Sequence, residues 1–174
     1  LSDKLFPGPL IFYIYAPIYF LFDKNPEAVS AFLRLFNSLG IILTFILGAI
    51  IFNKKVGIVA SILFAFSYEQ TQYSLFISHQ PLAVIPVLLF YLGLGMLIFK
   101  KKPKCLLLSA LGWGISIQFH YGYLLLGIPL LLIFLFFRKN FYIIKLKDIF
   151  LFFIILFFTL STFIIAELKY HFFS

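Results

Sequence analysis

The chain has 174 residues, of which 63% are hydrophobic and 11% charged, with a formal net charge of +8. A soluble domain needs about a quarter of its residues charged to cover its surface; a mean hydropathy of +1.10 excludes one and leaves an integral membrane protein. The positive balance does not indicate nucleic acid, because the basic residues stand in short clusters between apolar runs, as in cytoplasmic loops.

The first predicted element is the stretch from Pro9 to Phe22 in PGPLIFYIYAPIYFLFDKNPE. A helix of about fourteen residues covers roughly 21 Å, short of the ~30 Å hydrocarbon core. Gly8 and Pro9 are expected to supply a cap and a first-turn proline, and Pro17 to kink the middle. Tyr13, Tyr15 and Tyr19 suit the headgroup level, where a ring is half-buried and its hydroxyl wet. The stretch reads as a helix lying along the outer membrane surface.

Further apolar runs follow at Leu35–Phe52, Val56–Tyr68, Leu82–Phe99, Cys105–Phe119, Tyr123–Phe137 and Ile149–Ala166. They are continuous rather than alternating, so helices are the spanning structure. Leu82–Phe99 and Ile149–Ala166 have spanning length, whereas Val56–Tyr68, Cys105–Phe119 and Tyr123–Phe137 must recruit polar neighbours or tilt. Small residues at Gly57, Ser61 and Ala65, and at Ala110 and Gly114, are spaced for close helix packing. The expected fold class is all-α: a polytopic transmembrane helix bundle of about six spans, preceded by an outer interfacial juxtamembrane helix. Residues 1–34 would form the outer loop and juxtamembrane helix, and 35–166 the bundle.

Charge sets the orientation. The links Asn53–Lys55, Lys100–Lys104 and Arg138–Asp148 hold ten of the 14 basic residues and one acid. The remaining segments hold four bases, among them Lys4, and five acids, among them Asp3, and the two sets alternate along the runs. The lysine-rich links therefore face the cytoplasm, and the lone Cys105, which excludes an intramolecular disulfide, lies near that face. The chain opens at Leu1, has Met96 as its only methionine, and ends in AELKYHFFS directly behind an apolar run. It is expected to be part of a longer protein; no signal peptide is visible.

The apolar runs carry no charge, and the polar residues Glu69, Gln70, Gln72, His79, Gln118 and His120 all fall on the outer side. A polar cluster at one membrane boundary points to a site, with ordinary loop polarity as the alternative. His79 precedes Pro81 at the start of a run, where its ring could cap the helix or touch a ligand. Lys24 and Arg34 could meet a phosphate, or snorkel. No Walker loop, dinucleotide fingerprint, nucleophile elbow or metal-ligand spacing occurs, so neither a cofactor nor a metal is expected.

The succession GPLIFYIYAPIYFLF, AFLRLFNSLGIILTFILGAIIF, VGIVASILFAFSYEQTQYSLFISHQPLAV and LLLSALGWGISIQFHYGYLLL resembles the membrane glycosyltransferases of GT-C type. The likeness is to the branch holding the protein O-mannosyltransferases and the aminoarabinose transferase, and it extends over nearly the whole chain. Pro9, Leu10, Phe12 and Tyr13 match that family's outer juxtamembrane helix, Arg34 the arginine that opens its next span, and Gln118, His120 and Tyr121 its histidine-tyrosine segment. The resemblance implies transfer of a sugar from a polyprenyl-phosphate donor to a hydroxyl of a protein, lipid or glycan acceptor, on the extracytoplasmic face of the cytoplasmic membrane. It implies substrate-binding roles for Arg34, Glu69, His79, Gln118, His120 and Tyr121. Its principal acid lies in the first outer loop, so the catalytic carboxylate is expected upstream of Leu1. Where the family often carries Asp-Pro or Asn-Pro, this chain reads His79-Gln80-Pro81. The competing readings are a transporter or flippase for a lipid-linked substrate, which would place its binding groups at the midplane, and a structural membrane subunit.

Overall fold

The computed structural model describes residues 8–75 and 77–169; among them there are α-helices and short 3-10 helices and no strand. Asp3, Lys4 and Pro7 and the tail beyond Lys169 lie outside the described residues. Helix α1 spans Leu10–Leu21, α2 Pro26–Ile51, α3 Lys54–Ala65 and α4 Tyr68–Leu75. Then come α5 (Gln80–Lys100), α6 (Leu106–Phe119), α7 (Gly127–Phe136), α8 (Arg138–Phe141) and α9 (Leu146–Lys169).

Among the described residues three helices are long and apolar enough to cross a membrane: α2, α5 and α9 over Leu146–Ala166. The expected count of spans included three shorter runs, and these are indeed short. α3 has 12 residues, α6 has 14 and α7 has 10, extended at its start by a 3-10 helix over Tyr121–Leu126. At about 1.5 Å per residue none of the three α-helices reaches 30 Å by itself. α2 starts well before Leu35. Asn25 accepts the Glu27 N–H at 2.9 Å and Pro26 occupies the first helical turn, where its missing N–H costs nothing. Arg34 therefore lies inside a helix rather than opening one. The link after Ala65 is also helical: α4 occupies it.

α5 is the centre of the bundle. It packs between α2 and α6, with α3 on the far side of α2 and α9 on the far side of α6. Two cores result. One is built around Phe90, Leu94, Leu97, Ala110 and Phe152, the other around Leu33, Leu82, Ala83 and Phe119. α5 and α6 approach backbone to backbone at Gly93 and Gly112. A Cβ at Gly93 would stand 2.6 Å from the Cys105 carbonyl oxygen, and one at Gly112 would stand 2.6 Å from the Phe90 nitrogen. Ser109, wholly buried, donates to the Phe90 carbonyl at 2.9 Å across the same seam. The expected small-residue contacts hold at Gly57, which abuts Gly48 of α2, and at Gly114, which abuts Thr159 of α9. Neither Gly48 nor Gly93 was expected.

Antiparallel packing sets the ends. α5 carries His79 just before its first turn and Lys100 in its last, 21 residues or roughly 30 Å apart. At the lysine end, Cys105 approaches Met96, with 3.5 Å between the sulfurs. Asp148, the one acid of the basic links, is buried there, and its Oδ2 accepts the Lys145 N–H at 3.1 Å as α9 begins.

Candidate functional site

α6 ends at His120, whose backbone is extended (φ −160°, ψ 130°) and whose Nδ1 accepts the Gly122 N–H at 2.9 Å. Because α5 starts where α6 stops, His79 and His120 meet. Their rings stack with centroids 5.7 Å apart and planes 12° from parallel. Tyr123 stands edge-on to His120 at 6.2 Å, held by the Trp113 indole N–H, which donates to the Tyr123 carbonyl at 2.9 Å. Burial, and then the neighbouring His120, hold the His79 imidazole below the usual histidine range. His79 was expected to cap α5 or to touch a ligand. It occupies the N-cap position, but its side chain makes no capping bond; the ring is in the stack instead.

Gln118 is 3% exposed and ties three elements together. Its Nε2 donates to the Thr159 carbonyl and, at 2.9 Å, to Thr162 Oγ1 on α9. Its own carbonyl accepts the Gly8 N–H at 2.7 Å. Gly8 is thus an anchor of α1 and not its cap; the N-cap residue is Pro9, without a side-chain bond. Only glycine fits at this anchor, since a Cβ would stand 2.8 Å from the Gln118 carbonyl oxygen. Tyr121 packs edge-on against Phe163 of α9 at 5.2 Å.

α1, continuous through Pro17, lies against α2 and the end of α6. Its second attachment is the Tyr15 hydroxyl, which donates to the Ser78 carbonyl at 2.6 Å; burial pushes that phenol's pKa up. Between α1 and the start of α2 is an apolar groove of about 290 Å³, walled by Phe12, Tyr15, Tyr19, Phe20, Val29 and Ile77. Three consecutive residues therefore join groove and stack: Ile77 walls the groove, Ser78 holds Tyr15, and His79 lies on His120.

The six expected site residues form two groups. His79, Gln118, His120 and Tyr121 surround the end of α6. Arg34 and Glu69 lie elsewhere, on α2 and α4. Arg34 makes an exposed ion pair with Glu27 at 3.6 Å and lines a cavity of about 180 Å³ together with Asn37 and Gln70. Glu69 is exposed beside Gln70. Sequence reasoning missed Gly8, Tyr123 and Asn37 as site-forming residues. Of these, only Asn37 left a signal, an amide within an otherwise apolar run. No group of three or more His, Cys, Asp or Glu side chains comes together among the described residues. Stacked parallel rings also keep their in-plane lone pairs from converging on one ion.

No curated protein and no solved structure matches the chain. A family model does match, over residues 7–165. That stretch reaches from ahead of α1 to the last turns of α9 and includes both groups of site residues. By this match the chain belongs to the dolichyl-phosphate-mannose-protein mannosyltransferase family, whose members are membrane glycosyltransferases.

Proposed function

We propose that the protein transfers a sugar from a polyprenyl phosphate to an acceptor hydroxyl on the extracytoplasmic face of the cytoplasmic membrane. The observation that carries this reading is the run Ile77–His79, which sets an apolar groove directly beside a pair of imidazoles. A polyprenyl phosphate has the same two parts in the same order, a long apolar chain ending in an anion. The family description names dolichyl phosphate mannose as donor and protein as acceptor, so a prenyl phosphomannose and a serine- or threonine-bearing peptide are the first substrates to test.

In the proposed reaction the acceptor oxygen attacks the anomeric carbon, and its proton passes to a carboxylate. The bond from that carbon to the phosphate oxygen breaks, and its electron pair leaves with the phosphate. The histidines would steady that leaving group. His120 Nδ1 accepts a backbone N–H, so the proton of its neutral ring is on Nε2, which is left as a donor. His79, with its lowered pKa, acts as a neutral donor near pH 7 rather than a cation. Gln118 and Tyr121 position this end of α6 against α9. Arg34 and Glu69, which stand apart from the stack on α2 and α4, are assigned to substrate by the family resemblance alone. The catalytic carboxylate is assigned to the first outer loop, ahead of Leu1, as the family resemblance implies. Charge supports the choice of face: the lysine-rich links lie at the end of the bundle opposite the stack.

The test is transfer by the full-length protein in lipid nanodiscs. His120→Ala should lower the transfer rate about 100-fold, the scale for losing one donor to developing negative charge, with membrane yield unchanged. An unchanged rate would refute the assignment, and loss of rate and yield together would give His120 a packing role.

A further inference from the structure

The end of the bundle opposite the stack is not used by the proposed reaction. Eight of the 14 basic residues stand there, four in the link Lys100–Lys104 and four as Arg138, Lys139, Lys145 and Lys147. All eight are exposed, and none makes an ion pair among the described residues. The one acid of these links is engaged elsewhere. Asp148 is 4% exposed; its Oδ2 accepts the Lys145 N–H, and its own N–H donates to the Lys145 carbonyl at 2.8 Å.

These cations are not on a free loop. α8 packs against α5, so the two links adjoin. Phe141 meets Phe134 of α7 edge-on at 5.2 Å, and Phe141, Ile143 and Ile144 pack on the core around Leu94 and Leu97. The inward residues of the second link are therefore apolar and fixed, and its cations are left outside. Between those cations stand Tyr142 and Leu146, 82% and 81% exposed. Like charges held together repel, and large apolar side chains in water forgo the gain of burial. A membrane interface meets both demands: anionic headgroups neutralise the cations while a tyrosine ring and a leucine side chain reach the acyl boundary. A nucleic acid or an acidic protein would match the charge but approaches from water. Leu146 is the first residue of the α9 span, so it stands at the membrane boundary.

We infer that the links Lys100–Lys104 and Arg138–Asp148 form one docking surface for anionic phospholipid headgroups of the leaflet at that end. Recognition is by charge and not by headgroup identity. Asp148 already occupies the start of α9, where backbone N–H groups would otherwise cradle a single phosphate. Seven of the eight cations are lysines, which hold phosphate as point charges without the fork that fixes a geometry. The surface lies roughly 30 Å from the stack, and the inference does not depend on the sugar-transfer reading.

The test uses the full-length protein in nanodiscs, with Tyr142→Cys labelled by bimane and the other cysteines changed to serine, Cys105→Ser among them. Quenching by brominated lipids reports which headgroups gather at the label. In a phosphatidylcholine background, brominated phosphatidylglycerol and phosphatidylserine should each be enriched about fivefold over brominated phosphatidylcholine, the worth of one basic residue at a charged interface. At about 1 M salt the screening length shrinks to ~3 Å, and the enrichment should fall below about twofold. Arg138→Gln, Lys139→Gln, Lys145→Gln and Lys147→Gln together should do the same at low salt. If that variant fails to insert, Lys145→Gln with Lys147→Gln is the milder change and should lower the enrichment by about half. Enrichment of only one of the two anionic lipids would mean a headgroup-specific pocket. Displacement of the lipids by an oligonucleotide at physiological salt would mean a nucleic-acid surface, and displacement by inorganic phosphate at constant ionic strength a small-anion site. Each of these would overturn the inference, as would no enrichment in the wild type, or one that salt and substitution both leave unchanged.

Discussion

Gln118 offers a direct separation of positioning from substrate contact. Its side chain bonds two groups on α9, the Thr159 carbonyl and the Thr162 hydroxyl, and its backbone carbonyl holds Gly8. Gln118→Leu removes the two side-chain bonds and keeps both the volume and the backbone bond. At about 1 kcal/mol per neutral hydrogen bond, and somewhat less between helices in a membrane, the cost is about 1–2 kcal/mol. Gln118→Ala loses the same bonds and adds a cavity in a side chain only 3% exposed, for a total of about 3–4 kcal/mol. Equilibrium unfolding of the full-length protein by sodium dodecyl sulfate in mixed micelles would read both. Thr162→Val combined with Gln118→Leu should show a coupling of roughly 0.5–1 kcal/mol, because each single change already breaks the shared bond. Sugar transfer by Gln118→Leu should fall only in step with the loss of folded protein and recover on cooling. A leucine variant as stable as the wild type and inactive at every temperature would refute this account and place Gln118 in contact with substrate.

Other predictions follow from single features of the fold. The folded protein disfavours protonation of His79 relative to the unfolded chain, so its contribution to stability is present above the usual histidine pKa and lost as pH falls. Below about pH 6.5 the wild type should destabilise more steeply than His79→Gln, and superimposable pH curves would refute this. Lys101 caps α5 in the left-handed region at φ 55°, so Lys101→Gly should stabilise by about 0.5–1 kcal/mol, and a loss of stability in the same unfolding assay would contradict it. Gly93→Ala should cost about 2 kcal/mol or more, since its Cβ meets backbone of the Cys105–Ser109 turn; wild-type stability would mean that α5 and α6 can separate there freely. In intact cells a membrane-impermeant thiol reagent should miss Cys105 and label a cysteine introduced at His120, and the reverse pattern would invert the orientation argued from charge.

The parts of this fold that were legible in the sequence are those that depend on composition and on spacing along the chain. Apolar runs and lysine clusters gave the helices and their alternating ends, and the length of Pro9–Phe22 marked α1 as too short to cross. Local chemistry was legible in principle but was read incompletely. Asn25-Pro26 is a plain helix start, yet the apolar run begins only at Leu35, well inside α2. Contacts between distant residues were not legible. His79 and His120 were each picked out as polar residues at the same boundary, but their stacking depends on α5 and α6 lying antiparallel, and that close seam depends on Gly93 and Gly112. Gly8 shows the same limit. Beside Pro9 it has the local signature of a cap, and only Gln118, more than a hundred residues away, makes it an anchor. The Tyr15–Ser78 bond closes a separation of 63 residues. The candidate site is thus the part of the molecule where nearly every contact is non-local. Motif order could identify the family, while packing decides which side chains at the stack end are occupied in holding helices together.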